Sequence, residues 1–355
     1  MAKSLAIVLL LHKGRKVKRI AIFADGTWNS PEQGIATNVL QIARAISPVD
    51  TEGVPQVVFY DWGVGTEQDK YSGGITGSGI DKNIMDCYRF LVHNYKPNDQ
   101  LYFFGFSRGA YTVRSLCGLI RNSGLLRSEH ADKIPQAYKL YRERSKSSSP
   151  NQSKSVKFRE QFAVSDKTNI KFVGAWDTVG ALGIPMPFLG GLGKEKYLFH
   201  DLEPSQIIQH ARHAVSIDEN REDFSATLWE NKQDIDLQQV WFAGVHSDVG
   251  GGYKEDGLSQ CASQWMIEQS QHFGVEFENH LLEKIHPNYA DKQHNERKSF
   301  YKLRREFTRE VTGPLHISVK RRWDENVQGY QKKSKALLKL LDSVNGDWSK
   351  IVVLE

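Results

Sequence analysis

The stretch from Leu101 to Leu116, LYFFGFSRGAYTVRSL, limits the possible fold of this chain more than any other. It begins with the apolar, aromatic run of a buried strand and continues as a segment compatible with a helix. Ser107 lies between the two parts, flanked by Gly105 and Gly109. This is the G-x-S-x-G pattern of a nucleophile elbow, in the strand–turn–helix order that the pattern requires. The alternative is a tight connection that merely needs small residues.

Apolar and amphipathic segments alternate along much of the chain. The predicted strands are apolar runs that end at a turn: residues 17–24, QVVFYDWG, residues 101–104, NIKFVGAWDTVG, HARHAVSID and QQVWFAGVHSDVGGGY. The predicted helices cover residues 38–46, 80–95, 108–121 and 259–273. This alternation predicts an α/β fold, a mostly parallel sheet with helices on both faces. Three segments are predicted as inserted loops: residues 61–79, 146–157 and 182–192.

The 355 residues are enough for one large α/β domain with insertions or for two ordinary domains. We assign residues 17–275 to a catalytic domain and residues 276–355 to a basic C-terminal extension packed on the same domain. Lysine and arginine crowd residues 297–339. This crowding predicts a solvated basic face, with contact to an anionic membrane surface as the alternative.

The sequence also disfavours several functional classes. It carries no nucleic-acid-binding signature, so we expect no nucleic-acid partner. The three cysteines, Cys87, Cys117 and Cys261, lack metal-ligand spacing, and we predict neither a metal nor a cofactor. The apolar run at residues 4–11 is too short to span a bilayer. Most of the basic residues near it follow the run, whereas in a signal peptide they would precede it.

A serine nucleophile needs a base, and the base needs an acid that orients it. In α/β-hydrolases the three follow one another as Ser, Asp or Glu, and His, each at the end of a strand. Asp177 follows the apolar FVGAW, and His246 follows VWFAGV. Asp177 as a helix cap and His246 as a packed loop histidine are the non-catalytic interpretations. Asp248 is the alternative acid.

An oxyanion is stabilised by backbone N–H groups, one of them from the residue after the nucleophile. Arg108 supplies this N–H, and Gly26 or Thr27, after the first strand, is predicted to supply the second. The carboxylate of Asp25 would repel an oxyanion. We therefore expect Asp25 to point away and to fix the loop by hydrogen bonds.

Five stretches together resemble the α/β-hydrolase domain of bacterial type VI secretion phospholipase effectors, a family that includes single-domain members. They are FADGTWN, GFSRGAY, WDTVGALG, HARHAVSIDENR and GVHSDVGGGY. The resemblance implies an α/β-hydrolase-like fold, with Ser107 as nucleophile, Asp177 as acid and His246 as base. His213, Asp218 and Arg221 match a stretch of the family as well, and we interpret them as structural.

The resemblance further implies a small ester or a lipid as the substrate. We expect a cytoplasmic location, compatible with delivery by a secretion system. The site should lie at the carboxyl edge of the sheet, covered by the loops 61–79 and 182–192. In the second loop, Phe188 and Leu189 are predicted to form an apolar wall for an acyl chain.

Three other functions are alternatives to this one. FADGT is similar to the motif of aspartate-nucleophile phosphatases, but Phe23 stands where their nucleophile would be. A Ser–Asp dyad lipase would use Ser107 with Asp256, and would leave His246 without a role. A catalytically idle binding or scaffold module on the same fold is the alternative from a different class.

Overall fold

The computed structural model describes residues 17–26, 34–63, 77–143, 145–179, 204–230, 234–303 and 305–355. Several predictions fall outside these ranges: the apolar run at residues 4–11, Thr27, most of the loop 61–79, and the loop 182–192 with Phe188 and Leu189. Among the described helices, none is both long enough and apolar enough to cross a bilayer.

The described strands form one parallel sheet. They are β1 (Arg19–Ala24), β2 (Gln56–Asp61), β3 (Gln100–Phe106), β4 (Ile170–Trp176), β5 (Ile208–Ser216), β6 (Asp236–Phe242), β7 (Leu315–His316) and β8 (Val353–Leu354). Their order in the sheet is β2-β1-β3-β4-β5-β6-β7-β8. All the pairings are parallel, so the carboxyl ends of the strands meet at one edge.

Helices connect the strands. The described α-helices are α1 (Asn38–Ala45), α2 (Gly77–Asn94), α3 (Arg108–Ser123), α4 (Ile134–Arg142), α5 (Ser153–Phe162), α6 (His246–Gly250), α7 (Gly257–His272), α8 (Asn279–Leu282), α9 (Ile317–Asp324), α10 (Tyr330–Lys333) and α11 (Lys335–Ser343). Gly124 ends α3 with a φ of 75°, and its N–H donates to the Ile120 carbonyl. A left-handed residue at this point is favourable for glycine.

The central strands are apolar on both faces because helices cover both. Ile22 and Phe103 belong to the core on one face, which α2 and α3 cover. Phe23 and Phe104, their neighbours along the strands, belong to the core on the other face, with α1 and α7. Side chains alternate between faces along a strand, so a continuous apolar run fills two cores. This architecture confirms the predicted α/β-hydrolase-like fold.

The C-terminal part extends the same sheet. Leu315 of β7 pairs with Trp241 of β6, and β8 pairs with β7. A third apolar cluster joins Trp241 to Leu337 and Leu341 of α11. These contacts support the proposal that residues 276–355 pack on the catalytic domain.

Two sequence predictions need correction. Residues 146–157 are not one loop, because α5 begins at Ser153. Arg159 of this helix is 2% exposed, and its Nη1 donates to the carbonyls of Asn122 and Pro150, which anchor the insertion to the end of α3. The basic segment is not entirely a solvated face either, since Arg309 and Arg322 are buried.

Candidate active site

Ser107 occupies a strained turn between β3 and α3. Its φ is 59° and its ψ is −119°, a conformation that a non-glycine residue rarely adopts. A Cβ at Gly105 would lie 2.4 Å from the carbonyl oxygen of Gly109, and a Cβ at Gly109 would lie 2.0 Å from that of Ala24. Both glycines are therefore required by close backbone contacts, and the turn that they permit carries the serine.

Ser107, His246 and Asp177 form a chain of close contacts. The Oγ of Ser107 lies 2.8 Å from Nε2 of His246, and Nδ1 of His246 lies 2.6 Å from Oδ2 of Asp177. An ionised carboxylate can only accept hydrogen bonds, so we assign the imidazole proton to Nδ1. The Nε2 atom is then free to accept the proton of the serine hydroxyl.

The parallel strand register brings these residues together. The Ser107 N–H donates to the Trp176 carbonyl at 3.0 Å, and the Asp177 N–H donates to the Ala214 carbonyl at 2.7 Å. Ser107 and Asp177 thus follow the adjacent strands β3 and β4 at the carboxyl edge of the sheet. Asp177 has a φ of 38° and is fully buried, so its backbone is strained as well.

The His246 side chain is fixed from both sides. The rings of Phe106 and Phe224 lie 4.6 Å and 5.1 Å from the imidazole, centroid to centroid. Its backbone N–H donates to Oε2 of Glu219 at 3.2 Å, and Glu219 is paired with Arg221. Burial acts to raise the pKa of the Glu219 carboxyl, but Arg221 holds this pKa below its ordinary value. Sequence reasoning missed Glu219, although it lies inside the quoted stretch HARHAVSIDENR.

The alternative acids lie elsewhere. Asp248 accepts hydrogen bonds from the Val245 N–H and from the backbone N–H of His294, and its Oδ1 lies 2.7 Å from Nδ1 of His294. Its carboxylate therefore caps the turn that begins with His246 and does not lie on the imidazole. Asp256 precedes α7, where its carboxylate accepts a hydrogen bond from the Gln260 side chain.

The structure bears differently on the three predicted oxyanion donors. The backbone N–H of Arg108 follows Ser107 at the beginning of α3, where the orphan donors of a helix lie. The Gly26 N–H already donates to Oδ1 of Asp25 at 2.7 Å, which argues against it as a second donor in this conformation. The prediction for Thr27 lies outside the described residues.

Asp25 is turned into the loop, as its charge requires. Its carboxylate accepts hydrogen bonds from Thr37 and from the Tyr60 hydroxyl, the latter at 2.7 Å. Burial and the neighbouring Asp25 carboxylate raise the pKa of Tyr60 above its ordinary value. Asp25 thus ties the end of β1 to the beginning of α1.

Two of the polar residues in β5 and its following loop, His213 and Asp218, form hydrogen bonds to backbone groups. The His213 ring accepts the Thr178 N–H at 3.0 Å, next to Asp177, and burial lowers the pKa of His213 to about 3. Asp218 accepts the Gly244 N–H at 2.8 Å and the Tyr330 hydroxyl at 3.0 Å. These contacts agree with a structural interpretation.

Comparison with known protein families identifies the family of this chain. The model of the family described as "T6SS, Phospholipase effector Tle1-like, catalytic domain" matches residues 18–269. The chain belongs to this family. The matched region of this Tle1-like domain includes Ser107, Asp177 and His246.

Individual relatives are more distant. The chain is 27% identical over 228 residues to "Uncharacterized protein YEL023C" of Saccharomyces cerevisiae, a match that covers 58% of this chain and 32% of that protein. The chain thus spans about a third of that relative's length. An uncharacterized protein from Pseudomonas aeruginosa aligns with a TM-score of 0.49 at 17% identity, over 81% of this chain and 51% of that one. The Tle1 effector bound to the VgrG spike aligns with a TM-score of 0.40 at 21% identity, over 68% and 52% respectively.

One residue at the Tle1-like site lies beyond the matched region. Arg309 is 2% exposed, and its Nη1 and Nη2 donate to Oδ1 and Oδ2 of Asp177 at 2.5 Å and 3.0 Å. Burial acts to raise the pKa of Asp177, but the Arg309 charge and the His246 hydrogen bond hold it well below the ordinary range. Sequence reasoning placed Arg309 on a solvated face, and no local pattern around it indicates this contact.

Proposed function

We propose that this protein is a serine hydrolase that cleaves carboxylic esters of lipids. Ser107 is the nucleophile, His246 the general base and Asp177 the acid that orients the base. The observation that carries the proposal is the continuous Ser107–His246–Asp177 contact chain, with the serine in a strained elbow. Membership of the Tle1-like phospholipase family supports the same reaction class.

The geometry suits the first step directly. As Ser107 Oγ attacks the ester carbonyl carbon, Nε2 of His246 takes the hydroxyl proton. The imidazolium formed is stabilised by the Asp177 carboxylate on its Nδ1–H. It then protonates the leaving alcohol oxygen, which leaves an acyl-serine. Water repeats the sequence and releases the carboxylic acid.

Negative charge develops on the carbonyl oxygen during both steps. The Arg108 backbone N–H at the beginning of α3 is the proposed donor to it, and the positive end of the helix dipole adds to this effect. The second proposed donor is the Thr27 N–H.

The side chain of Arg108 favours a phosphate-bearing substrate. It is half-buried, and its guanidinium makes no hydrogen bond or ion pair with any described residue. Burial lowers the pKa of Arg108 to about 10, so it remains charged at neutral pH. A desolvated cation beside the nucleophile is stabilised when an anion binds next to it. A phospholipid brings a phosphate close to its scissile esters, so we place that phosphate against Arg108.

The exposed lysines of the C-terminal part, Lys332, Lys333 and Lys335, are proposed to attract an anionic membrane surface. Such attraction falls with salt, because the Debye length is about 10 Å at 0.1 M ionic strength. We propose a cytoplasmic location, with delivery by a secretion system as the alternative that the family's name suggests.

The test is hydrolysis by the purified protein of p-nitrophenyl esters with acyl chains of increasing length, alongside neutral and anionic phospholipid vesicles. Each buried CH₂ is worth about 0.8 kcal/mol, which corresponds to up to about fourfold in kcat/KM. We expect longer acyl chains to be cleaved faster than acetate, and cleavage of anionic vesicles to slow as salt is raised.

Ser107→Ala is the control, and folding is checked by circular dichroism. Activity in folded Ser107→Ala would contradict the mechanism. Cleavage of acetyl esters alone, at rates indifferent to salt, would contradict the lipid substrate. A folded protein without activity on any ester would favour the alternative function, a catalytically idle binding module.

A further inference from the structure

We propose that Arg309 is a positioning residue of the active site: its buried guanidinium orients Asp177 and offsets the charge of the carboxylate that faces His246. This inference rests on the proposed function, because it assigns Asp177 and His246 their roles. Arg309 belongs to the C-terminal extension and lies outside residues 18–269, the region that matches the family. The C-terminal extension would therefore be part of the catalytic apparatus.

The contacts of Arg309 hold the carboxylate in one orientation. Oδ1 of Asp177 accepts from Nη1 of Arg309 at 2.5 Å and from the Ser216 N–H at 2.9 Å. Oδ2 accepts from Nη2 of Arg309 at 3.0 Å and lies 2.6 Å from Nδ1 of His246. Paired donors from a planar guanidinium fix the plane of a carboxylate, which a single donor does not. The oxygen that meets the imidazole is thus held in place from behind.

The same guanidinium also anchors the wall of the site. Nη1 donates to the carbonyl and to the hydroxyl oxygen of Ser216, each at 2.8 Å. Nη2 donates to the Phe224 carbonyl at 2.5 Å, and the Phe224 ring lies against His246. Arg309 therefore connects the acid, the end of β5 and one face of the base.

Arg309 changes the charge that the imidazole experiences. The charged groups around His246 are Asp177 on its Nδ1, Glu219 on its backbone N–H with Arg221 paired to it, and Arg309 behind Asp177. On the turn of His246 itself, Asp248 is paired with His294. Because the Arg309 cation offsets the Asp177 anion, it opposes protonation of the imidazole. Loss of the Arg309 cation alone should therefore make protonation of the imidazole easier.

The experiment compares Arg309→Met and Arg309→Lys with the matched control Arg322→Met. Arg322 is equally buried in the C-terminal part, but its guanidinium donates to the carbonyls of Tyr289 and Asp291 and does not contact Asp177. For each variant, kcat/KM on a p-nitrophenyl ester is measured across pH.

For Arg309→Met we expect the acidic limb of the profile to move to higher pH by roughly one to two units, because the unit positive charge behind Asp177 is removed. We also expect kcat to fall by about 10- to 100-fold through misplacement of the acid. Arg309→Lys should shift the limb less, because it keeps the charge, and Arg322→Met should not shift it.

Two further measurements keep the inference testable. Arg309 lines a cavity of about 420 Å³, which gives a small cation access to the space that the Arg309 side chain vacates in Arg309→Ala. Guanidinium at a non-denaturing concentration should raise the activity of Arg309→Ala and leave the activity of Arg322→Ala unchanged. The downfield NMR resonance of the His246 Nδ1 proton can be followed across pH without turnover. If Arg309→Met fails to fold, the same titration is compared between the wild-type protein and Arg309→Lys.

An unshifted acidic limb and an unshifted resonance titration in folded Arg309 variants would overturn the inference. Failure of the proposed function looks different, since the wild-type protein itself would then cleave no ester. In that case the resonance titration still decides whether Arg309 controls protonation of His246.

Discussion

Replacement of Gly109 by alanine tests whether the elbow needs its glycine for a close backbone contact. The added Cβ would lie 2.0 Å from the Ala24 carbonyl oxygen and 2.7 Å from that of Asp25, whereas ordinary contact begins at 3.4 Å. Both neighbours are backbone atoms at the end of β1, and neither can rotate away. Either β1 or the beginning of α3 must therefore move by more than about 1 Å in a close-packed core.

The expected cost is large for so small a change. Overpacking typically costs about 1–3 kcal/mol, and a backbone clash belongs at the upper end of this range. The shift in melting temperature is the change in stability divided by the entropy of unfolding. For a chain of this size, a loss of about 3 kcal/mol therefore lowers the melting temperature by roughly 4 °C. A displacement of about 1 Å at Ser107 costs about 100-fold in kcat/KM. Thermal unfolding followed by circular dichroism, together with ester hydrolysis, measures both effects.

Two other glycines calibrate the measurement. Gly34 has nothing within 4 Å of the position of its Cβ, so Gly34→Ala should leave both the melting temperature and kcat/KM unchanged. The nearest atom to a Cβ at Gly118, inside the same helix α3, would be a ring carbon of Tyr141 at 2.9 Å. Because a ring can shift and alanine favours helix, Gly118→Ala should cost less than Gly109→Ala. Wild-type stability and activity in Gly109→Ala would refute this reading of the elbow.

Two more substitutions follow from the site. Asp177→Asn should lower kcat for ester hydrolysis by about 10⁴-fold while leaving Ser107 in place. A loss of kcat below tenfold would contradict the role of Asp177 as the acid. Because the pKa of Asp177 is lower in the folded than in the unfolded chain, its stabilisation is complete above about pH 4 and is lost as the pH falls through the folded pKa. The stability difference between wild type and Asp177→Asn in urea unfolding should therefore narrow in acid, and a constant difference would contradict this sign. Arg108→Met should reduce kcat/KM for phospholipids by about tenfold or more, because their phosphate loses an ionic contact. The kcat/KM for neutral p-nitrophenyl esters should stay unchanged. Equal losses on both substrates would contradict phosphate binding.

The sequence was sufficient where local pattern determines structure. The strand–turn–helix reading of Ser107 depends only on adjacent residues, and the structure has β3, the turn and α3 in that order. Asp177 and His246 were placed at strand ends by the apolar runs before them. Their meeting with Ser107 depends on the order of β3, β4, β5 and β6 in the sheet, which the alternation of strands and helices does not specify.

Other features depend on contacts between distant parts of the chain. Arg309 meets Asp177 across 132 positions, and nothing in the basic run around it distinguishes it from its solvated neighbours. The fold decides between Asp177 and Asp248 as the acid, because both carboxylates lie near strand ends and only tertiary contacts turn Asp248 towards His294. Helix α5 was missed because its Ser-rich sequence resembles a loop. Its anchor, Arg159, is satisfied by carbonyls of other elements.

The most direct test of the central claim is the reaction of the protein with a fluorophosphonate probe, followed by mass spectrometric mapping of the adduct. An activated Ser107 should carry the phosphonate adduct in the wild-type protein. Labelling should be absent in Ser107→Ala and slowed by several orders of magnitude in folded His246→Ala, because the base no longer removes the hydroxyl proton. A folded wild-type protein that stays unlabelled, or an adduct that maps to a residue other than Ser107, would contradict the assignment of Ser107 as the nucleophile.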